Sequence, residues 1–369
     1  MTDQQFEVLP EESDDTVDRV DQIEPNKQGR TRDGKVDIDI DIENATHDRS
    51  PQYPQINLGF CCISATLRAQ KPSVYTNRTC VKKTFLAKGL PHVSQLALQN
   101  SKDLLKVLRW NEEHDIRLFR VSSEIFAFWS EYELEDLPDF QEISNALRAV
   151  GDYAKKHKHR LTYHPGPYVV LGSPRDDVAE KSILELNRHS QVFDLMGFEP
   201  SCYNKINIHV KGVYDSKVKA MDRFAARFQR LSEGCKKRLS VENDDTPNAY
   251  SIDDLMYLHR KIGIPLVYDR HHQRFCKGSM SDEEAFHAAI KTWPEDIKPI
   301  VHWSESQAGR KLLAHSDYVD GPISFFGCEH LVDCHIEAKC KDLALLRYRD
   351  EIAKLNESTN KSCLETTHK

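Results

Sequence analysis

The strongest constraint on this chain is a pattern that repeats while its residues do not. From about residue 56 onward, a short apolar run recurs eight times, with a longer polar or amphipathic stretch between one run and the next. The runs are INLGFCC (56–62), IRLFRVS (116–122), RLTYH (160–164), INIHV (206–210), RLSVEN (238–243), PLVYD (265–269), PIVHW (299–303) and DCHIEA (333–338). Short runs this rich in β-branched and aromatic residues fit strands buried on both faces, which pair in parallel. Parallel pairing needs a crossover, usually a helix. Several of the connecting segments have helical spacing. In 93–115, Leu96, Leu104, Leu105 and Leu108 fall near one face, and 181–197 and 222–234 are built alike. Eight strands alternating with helices is the number that closes a barrel, so the expected fold is α/β, a (β/α)8 TIM barrel. An open doubly wound sheet is the structural rival, but its glycine-rich loop after the first strand is missing.

Composition sets the ends of the barrel. Residues 1–52 are rich in Asp, Glu, Gln and Pro and poor in aromatics, which predicts a disordered acidic N-terminal arm. Within it VDIDIDIEN (36–44) alternates like a strand, but a lone strand has no partner. The barrel is expected over 53–354, and the polar stretch 355–369 is expected to fray. No run of about 18 apolar residues is present and the acidic start lacks the apolar stretch of a secretory signal, so neither a membrane span nor secretion is expected. The 10 cysteines form no CxxC pair, which predicts reduced thiols and unglycosylated NxT triplets at Asn44 and Asn77. A formal net charge of -7 does not favour a nucleic-acid partner, although a basic groove can coexist with an acidic tail.

The chemistry lies in how the strands end. His164 closes the third run, His209 the fourth, Glu242 the fifth, Asp269 the sixth, His302 the seventh and Glu337 the eighth. Strand C-termini of a barrel converge on the face that carries the active site. Any one of these residues is better explained as a satisfied core histidine or a salt-bridged acid; six in register point to a metal centre. His272, just past Asp269, and His315, in the loop after the seventh strand, complete a set of eight candidate ligands. Mixed imidazole and carboxylate donors suit zinc or manganese better than magnesium. Glu242 and Asp269, flanked by ligands on neighbouring strands, are placed to bridge two ions, an arrangement suited to phosphodiester hydrolysis.

The strings LTYHPGPYV (161–169), INIHV followed by Gly212, SVENDD (240–245), VYDRHH (267–272), IVHWSES (300–306) and HIEAKCKD (335–342), with YTNRTC (75–80) and LFRVSS (118–123), resemble the ordered motifs of the UV damage endonucleases. The resemblance covers about residues 56–350. It implies a DNA repair endonuclease, a hydrolase that cuts 5′ to cyclobutane pyrimidine dimers and 6-4 photoproducts and so initiates excision repair. It also implies two or three divalent metal ions, manganese foremost, with zinc or magnesium as alternatives. His164, His209 and Glu242 would hold one ion. Glu242, Asp269, His302 and Glu337 would surround a second, and Asp269, His272 and His315 a third. Glu242 and Glu337, together with Lys339, are the residues expected to carry catalysis. The family's Gln-Tyr wedge reads Pro167-Tyr168 here, which removes the polar side chain and keeps the ring. A modified lysine that some members carry two residues before the strand-seven histidine is replaced by Ile300, with Lys298 displaced by two, so no lysine ligand is expected from that strand. Ser64 stands where members can have an asparagine.

The expected partner is duplex DNA containing UV lesions, met by a monomer in the nucleus or another cytosolic DNA-containing compartment, with downstream excision enzymes following. Pro167, Tyr168, Asn77, Arg78 and Arg120 are the candidate DNA contacts; for the two arginines the alternative is an internal salt bridge. The basic strings KKHKHR (155–160) and KKR (236–238) precede strands and are read as solvated helix ends, and FAFWSEY (126–132) as core or lid packing. A sugar isomerase or epimerase on the same barrel is a rival that the HPG-Pro-Tyr string and the Arg78 loop oppose. A catalytically dead lesion-binding protein is opposed by the full set of ligands. An abasic-site endonuclease lies closest, and the scaffold alone does not separate it.

Overall fold

The structure, a computed structural model, describes residues 56–366, with side chains as far as Leu355. The arm expected over 1–52 therefore lies outside the described residues. Eight strands form one parallel sheet: β1 (Asn57–Cys62), β2 (Leu118–Val121), β3 (Arg160–Tyr163), β4 (Ile206–Ile208), β5 (Leu239–Glu242), β6 (Leu266–Val267), β7 (Ile300–Trp303) and β8 (Asp333–Ile336). They follow the order β6-β5-β4-β3-β2-β1-β8-β7, which is a TIM barrel cut along one seam. Across that seam, β6 and β7 meet at a single bridge between Asp269 and His302, where the His302 amide donates to the Tyr268 carbonyl at 3.0 Å. Lower in the seam, side chains replace the ladder. Thr292 accepts from the Leu266 amide at 2.8 Å, and the Trp293 indole donates to the Leu266 carbonyl at 2.7 Å.

The helices are α1 (Ala65–Ala69), α2 (Lys82–Glu113), α3 (Phe140–His157), α4 (Asp176–Met196), α5 (Lys217–Phe228), α6 (Glu233–Arg238), α7 (Ile252–Ile262), α8 (Arg270–Gln273), α9 (Asp282–Ile290) and α10 (Asp342–Thr366). Side-chain caps fix several starts: Ser251 and Ser281 form capping boxes with Asp254 and Glu284. Helices α3 and α4 approach so closely that a side chain at Gly151 would drive into the Met196 carbonyl. Two departures from the sequence reading stand out. The β7–β8 connection holds only a 3-10 turn (Glu329–Leu331) where a helix was expected. The closing helix continues to Thr366, through most of the stretch read as a frayed tail.

The barrel interior is layered by the two-residue period of the strands. At the bottom, Leu118, Val267 and Ile300 pack with Cys202 and Trp293. Arg160 crosses the same level, donating to the carbonyls of Tyr203 and Lys298 at 2.7 Å each and pairing with Asp333 at 2.9 Å. Above it, Thr162 Oγ1 meets His335 Nε2 at 3.0 Å. The next residues of the same parity, His164 and Glu337, reach the mouth. Arg160 therefore corrects the reading of KKHKHR as a solvated end. The end of KKR is corrected too: Arg238 is fully buried, held by Ser190, the Phe198 carbonyl and Asp194. The aromatic run 126–132 is core, with Phe126, Trp129 and Tyr132 buried.

A buried ion pair that loses one partner leaves the other charge uncompensated, at a cost of about 3–5 kcal/mol. Arg160→Met is therefore expected to lower the urea midpoint by a stability loss in that range with an unchanged slope. Arg175→Met, which breaks an exposed pair with Asp177, changes stability by less than about 1 kcal/mol. An Arg160 loss as small as the Arg175 loss would show that the bottom layer does not hold the barrel.

Candidate metal centre

Glu242, the last residue of β5, is the hub of the mouth. Its carboxylate is buried and accepts a hydrogen bond on Oε2 from the Asn207 amide. Around Oε2 stand His164 Nε2 at 3.5 Å, His209 Nε2 at 3.9 Å and His302 Nδ1 at 3.2 Å. Oε1 faces His272 Nδ1 at 3.2 Å. His302 Nδ1 lies 3.1 Å from Glu337 Oε1 and 3.9 Å from Asp269 Oδ2. The ends of six strands, β3 to β8, and the short helix α8 thus bring these predicted residues to one pocket.

Two donor groups result, His164–His209–Glu242 and Glu242–Asp269–His302, each with one ligand atom per residue and all atoms within 4.8 Å of one another. These are the first expected set and the core of the second; Glu337 joins the latter through its contact with His302. The third set gathers in one corner without closing to that spacing. The His272 and His315 rings are 6.4 Å apart, and His272 Nδ1 turns to the Asn243 carbonyl at 2.9 Å and to Glu242. Asp269 Oδ1 caps α8 by accepting from the His272 amide at 2.8 Å. His315 Nδ1 meets the Glu337 carbonyl at 2.8 Å, which anchors the loop after β7 beside β8.

The electrostatics are those of a cation site. Burial alone would raise Glu242, but His302 and His209 pull its carboxyl well below the usual range. Burial acts on Glu337 in the same sense and is overcome by Arg120, whose guanidinium is paired with it, and by His302. Burial pushes His164 down to about 4, leaving the neutral imidazole that ligates metals. His272 goes the other way: against burial, Asp269 and Glu242 hold its imidazole well above the usual value. Asp269 Oδ2 and His302 Nδ1 are buried and lack hydrogen-bond partners, although each faces the other and His302 also faces two carboxylates. Converging, orphaned donors of this kind fit a divalent cation.

The remaining candidates divide. Pro167 and Tyr168 form an exposed turn after β3, with the tyrosine 81% exposed. Arg78 takes the internal salt bridge that stood as the alternative to a DNA contact. Its guanidinium is spent internally on Asp103 at 2.6 Å and on the carbonyls of Ser73 and Tyr75, and it stacks 3.9 Å from the Tyr75 ring. Arg120 is likewise turned into the mouth against Glu337, not toward an outer surface. Asn77 has a buried, unpartnered Oδ1. Lys339 Nζ reaches Gln307 Oε1 at 3.1 Å in the loop after β7 and none of the metal-centre carboxylates. Ser64 caps α1 and donates to Asp342 at 3.0 Å. Ile300 is core, and Lys298 pairs with Asp333 at the far end of the barrel, so strand seven supplies no lysine.

A different lysine is present. Lys205 opens the β4 segment, is wholly buried, and places Nζ 3.3 Å from His302 Nε2. Burial pushes its ammonium down to about 7, partly offset by Glu242. Sequence reading passed over Lys205 and Asn207, yet both share the parity of His209, and strand alternation points all three inward. Asn243 was missed too; its side chain brackets the Asp269 backbone with bonds of 2.8 and 3.0 Å. Asp244, 3.3 Å from His209 Nδ1, sits within the quoted VENDD string but carried no assigned role.

A sequence model described as UV-endonuclease UvdE matches residues 56–369. The UV-damage endonuclease of Schizosaccharomyces pombe is 35% identical over 320 residues, 83% of this chain and 51% of that protein. The UV DNA damage endonuclease of Clostridium perfringens is 31% identical over 313 residues, covering 83% and 73% of the two chains. The chain thus spans about half the length of the fission-yeast relative. Among solved structures, SacUVDE superimposes with a TM-score of 0.70 at 27% identity, over 82% of this chain and 99% of that one.

Because Glu242 belongs to both donor groups, its loss should remove metal-linked stability. A cation present at a hundred times its Kd adds about 2.7 kcal/mol, roughly 5 °C in a domain of this size. Added manganese is expected to raise the thermal midpoint by that order, Glu242→Gln to abolish the rise, and His315→Ala to retain most of it. An undiminished rise in Glu242→Gln would place the bound ion elsewhere.

Proposed function

Because the chain belongs to the UV-endonuclease UvdE family, we propose that it is a metal-dependent DNA repair endonuclease that hydrolyses the phosphodiester bond 5′ to UV photolesions. The observation that carries this reading is the pair of donor groups sharing buried Glu242 at the mouth of a barrel of that family. Cutting leaves a 3′ hydroxyl and a 5′ phosphate from which excision repair can start. Cyclobutane dimers and 6-4 photoproducts are the proposed lesions, in duplex DNA of a reducing nuclear or cytosolic compartment.

The bound ions, two or three, with manganese favoured over zinc and magnesium, would supply an activated water and neutralise charge on the phosphate and the leaving 3′ oxygen. His164, His209 and Glu242 would hold one, and Glu242, Asp269, His302 and Glu337 another; Asp269, His272 and His315 form the third proposed set. The chain's own contribution is orientation. Asn207 fixes the Glu242 carboxylate, Arg120 holds Glu337, and Asn243 sets the Asp269 backbone. Such supporting contacts keep ligands in place and typically carry a 10–100-fold effect on metal affinity or activity, on the order of 1–3 kcal/mol. Lys339, beside Glu337 in sequence, is proposed to meet the phosphate. Tyr168 is proposed to stack on a base opened beside the lesion, a contact of about 1–3 kcal/mol. Lys82, Lys83, Arg274 and Lys277 are exposed on segments that follow β1 and β6, whose C-terminal ends face the mouth.

The test is a labelled duplex with one cyclobutane dimer, incubated with manganese beside undamaged and abasic duplexes. The expected result is a nick immediately 5′ to the dimer, reduced at least about 10²–10³-fold in Glu242→Gln, the scale of losing one preorganised electrostatic group. Cutting of the abasic duplex alone would move the chain to abasic-site incision. Failure to cut any duplex with metal bound would remove the nuclease reading.

A further inference from the structure

The loop after β7 does more than deliver His315. Ser306 and His315 pair as an antiparallel bridge, Gln307 donates to the Ala314 carbonyl at 2.8 Å, and Ser316 donates to the Glu305 carbonyl at 2.7 Å. The segment is therefore a short hairpin, turned at Gly309 with φ +73°. Its base is held from two sides: His315 Nδ1 contacts the Glu337 carbonyl, and Lys339 ties to both Ser316 and Gln307. Its tip reads Arg310-Lys311-Leu312-Leu313, all exposed, with Leu312 64% and Leu313 38% accessible. Adjacent exposed leucines flanked by two cations are unusual at the rim of a polar site. Strand order places this hairpin, after β7, across the barrel from the exposed Tyr168, after β3.

We propose that the Arg310–Leu313 hairpin tip is a second DNA-probing wedge, its leucines entering the base stack from the side of the mouth opposite Tyr168 while Arg310 and Lys311 hold the adjoining phosphates. The proposal rests on the endonuclease reading above, since it names how that site's substrate is gripped. Apolar wedges that part a base step, with flanking cations on the backbone, are a general means of bending and opening a duplex. The geometry links opening to chemistry, because the wedge and the candidate ligand His315 share one hairpin. The Leu313 carbonyl also lies 3.4 Å from His271 Nε2, next to His272.

The experiment uses the full chain and two duplexes carrying the same cyclobutane dimer, one fully paired and one with mismatches at the flanking pairs, each with 2-aminopurine beside the lesion. Leu312→Ala is expected to cut the paired duplex about tenfold more slowly, or worse, and the pre-opened duplex at the wild-type rate. Its 2-aminopurine signal on binding the paired duplex should fall correspondingly. Arg310→Ala/Lys311→Ala is expected to weaken binding to both and to lower the salt slope by about 2. Leu312→Ala behaving as wild type on both duplexes, or losing equally on both, would overturn the wedge while leaving the endonuclease intact. Wild-type protein that opens the duplex but cuts neither would overturn the endonuclease reading and leave the wedge standing.

Discussion

Everything at the mouth of this barrel follows from burying carboxylates where water cannot solvate them. Glu242 and Glu337 sit within the reach of one imidazole, that of His302, and Asp269 closes on the same ring from the next strand. Buried acids so close together repel, and burial itself works against their ionisation. The chain answers with positive charge and hydrogen-bond donors from many directions: Arg120 on Glu337, Asn207 on Glu242, and the His272 imidazole against Glu242. Each compensating group comes from a different strand or strand end, so the site is stable only if the strands stand in register. The chemistry and the architecture share one constraint.

That sharing explains which parts could be read from the residues. Strand ends were legible because a metal-type ligand at the end of six consecutive apolar runs is a positional signal, independent of what surrounds each residue. The grouping of these residues around Glu242 came only from the family resemblance; in the fold two donor trios share that residue. The third set was legible only as composition: whether His272 faces Asp269 or Glu242 depends on the turn of α8, and the Asp269 cap at His272 turns the ring toward Asn243 and Glu242. The missing β7–β8 helix had no signal at all, since the segment is long enough to hold one and its polar, turn-rich composition also suits a loop.

The arginines show the opposite failure. Arg160 and Arg238 are charged residues in polar strings and read as solvated helix ends, while the sequence admits an internal salt bridge for Arg78 as readily as a DNA contact. In the fold they bind carbonyls that the elements leave unpaired, with a carboxylate beside each. A guanidinium has five donors in a planar fork, so one side chain can satisfy several orphaned carbonyls at an awkward joint. Where strands start and loops arrive, that is worth more than an exposed charge. Lys205 belongs to the same class of miss, and only the parity it shares with Asn207 and His209 could have exposed it.

The seam between β6 and β7 draws these points together. Six strand pairs are joined by ladders and β3–β4 by a single register pair within the sheet, while the eighth junction has one isolated bridge, between Asp269 and His302. Below it, Thr292 and Trp293 cover the free edge of β6 with side-chain bonds, and Val267 of β6 and Ile300 of β7 share only a packed side-chain layer. The barrel is therefore closed where the His302 amide donates to the carbonyl of Tyr268, next to Asp269, and His302 and Asp269 belong to one donor group. The hairpin after β7 continues from the same strand, so its position relative to the mouth is set by that contact as well. The geometry of the candidate ligands, the closure of the barrel and the placement of the hairpin after β7 thus all meet where Asp269 pairs with His302.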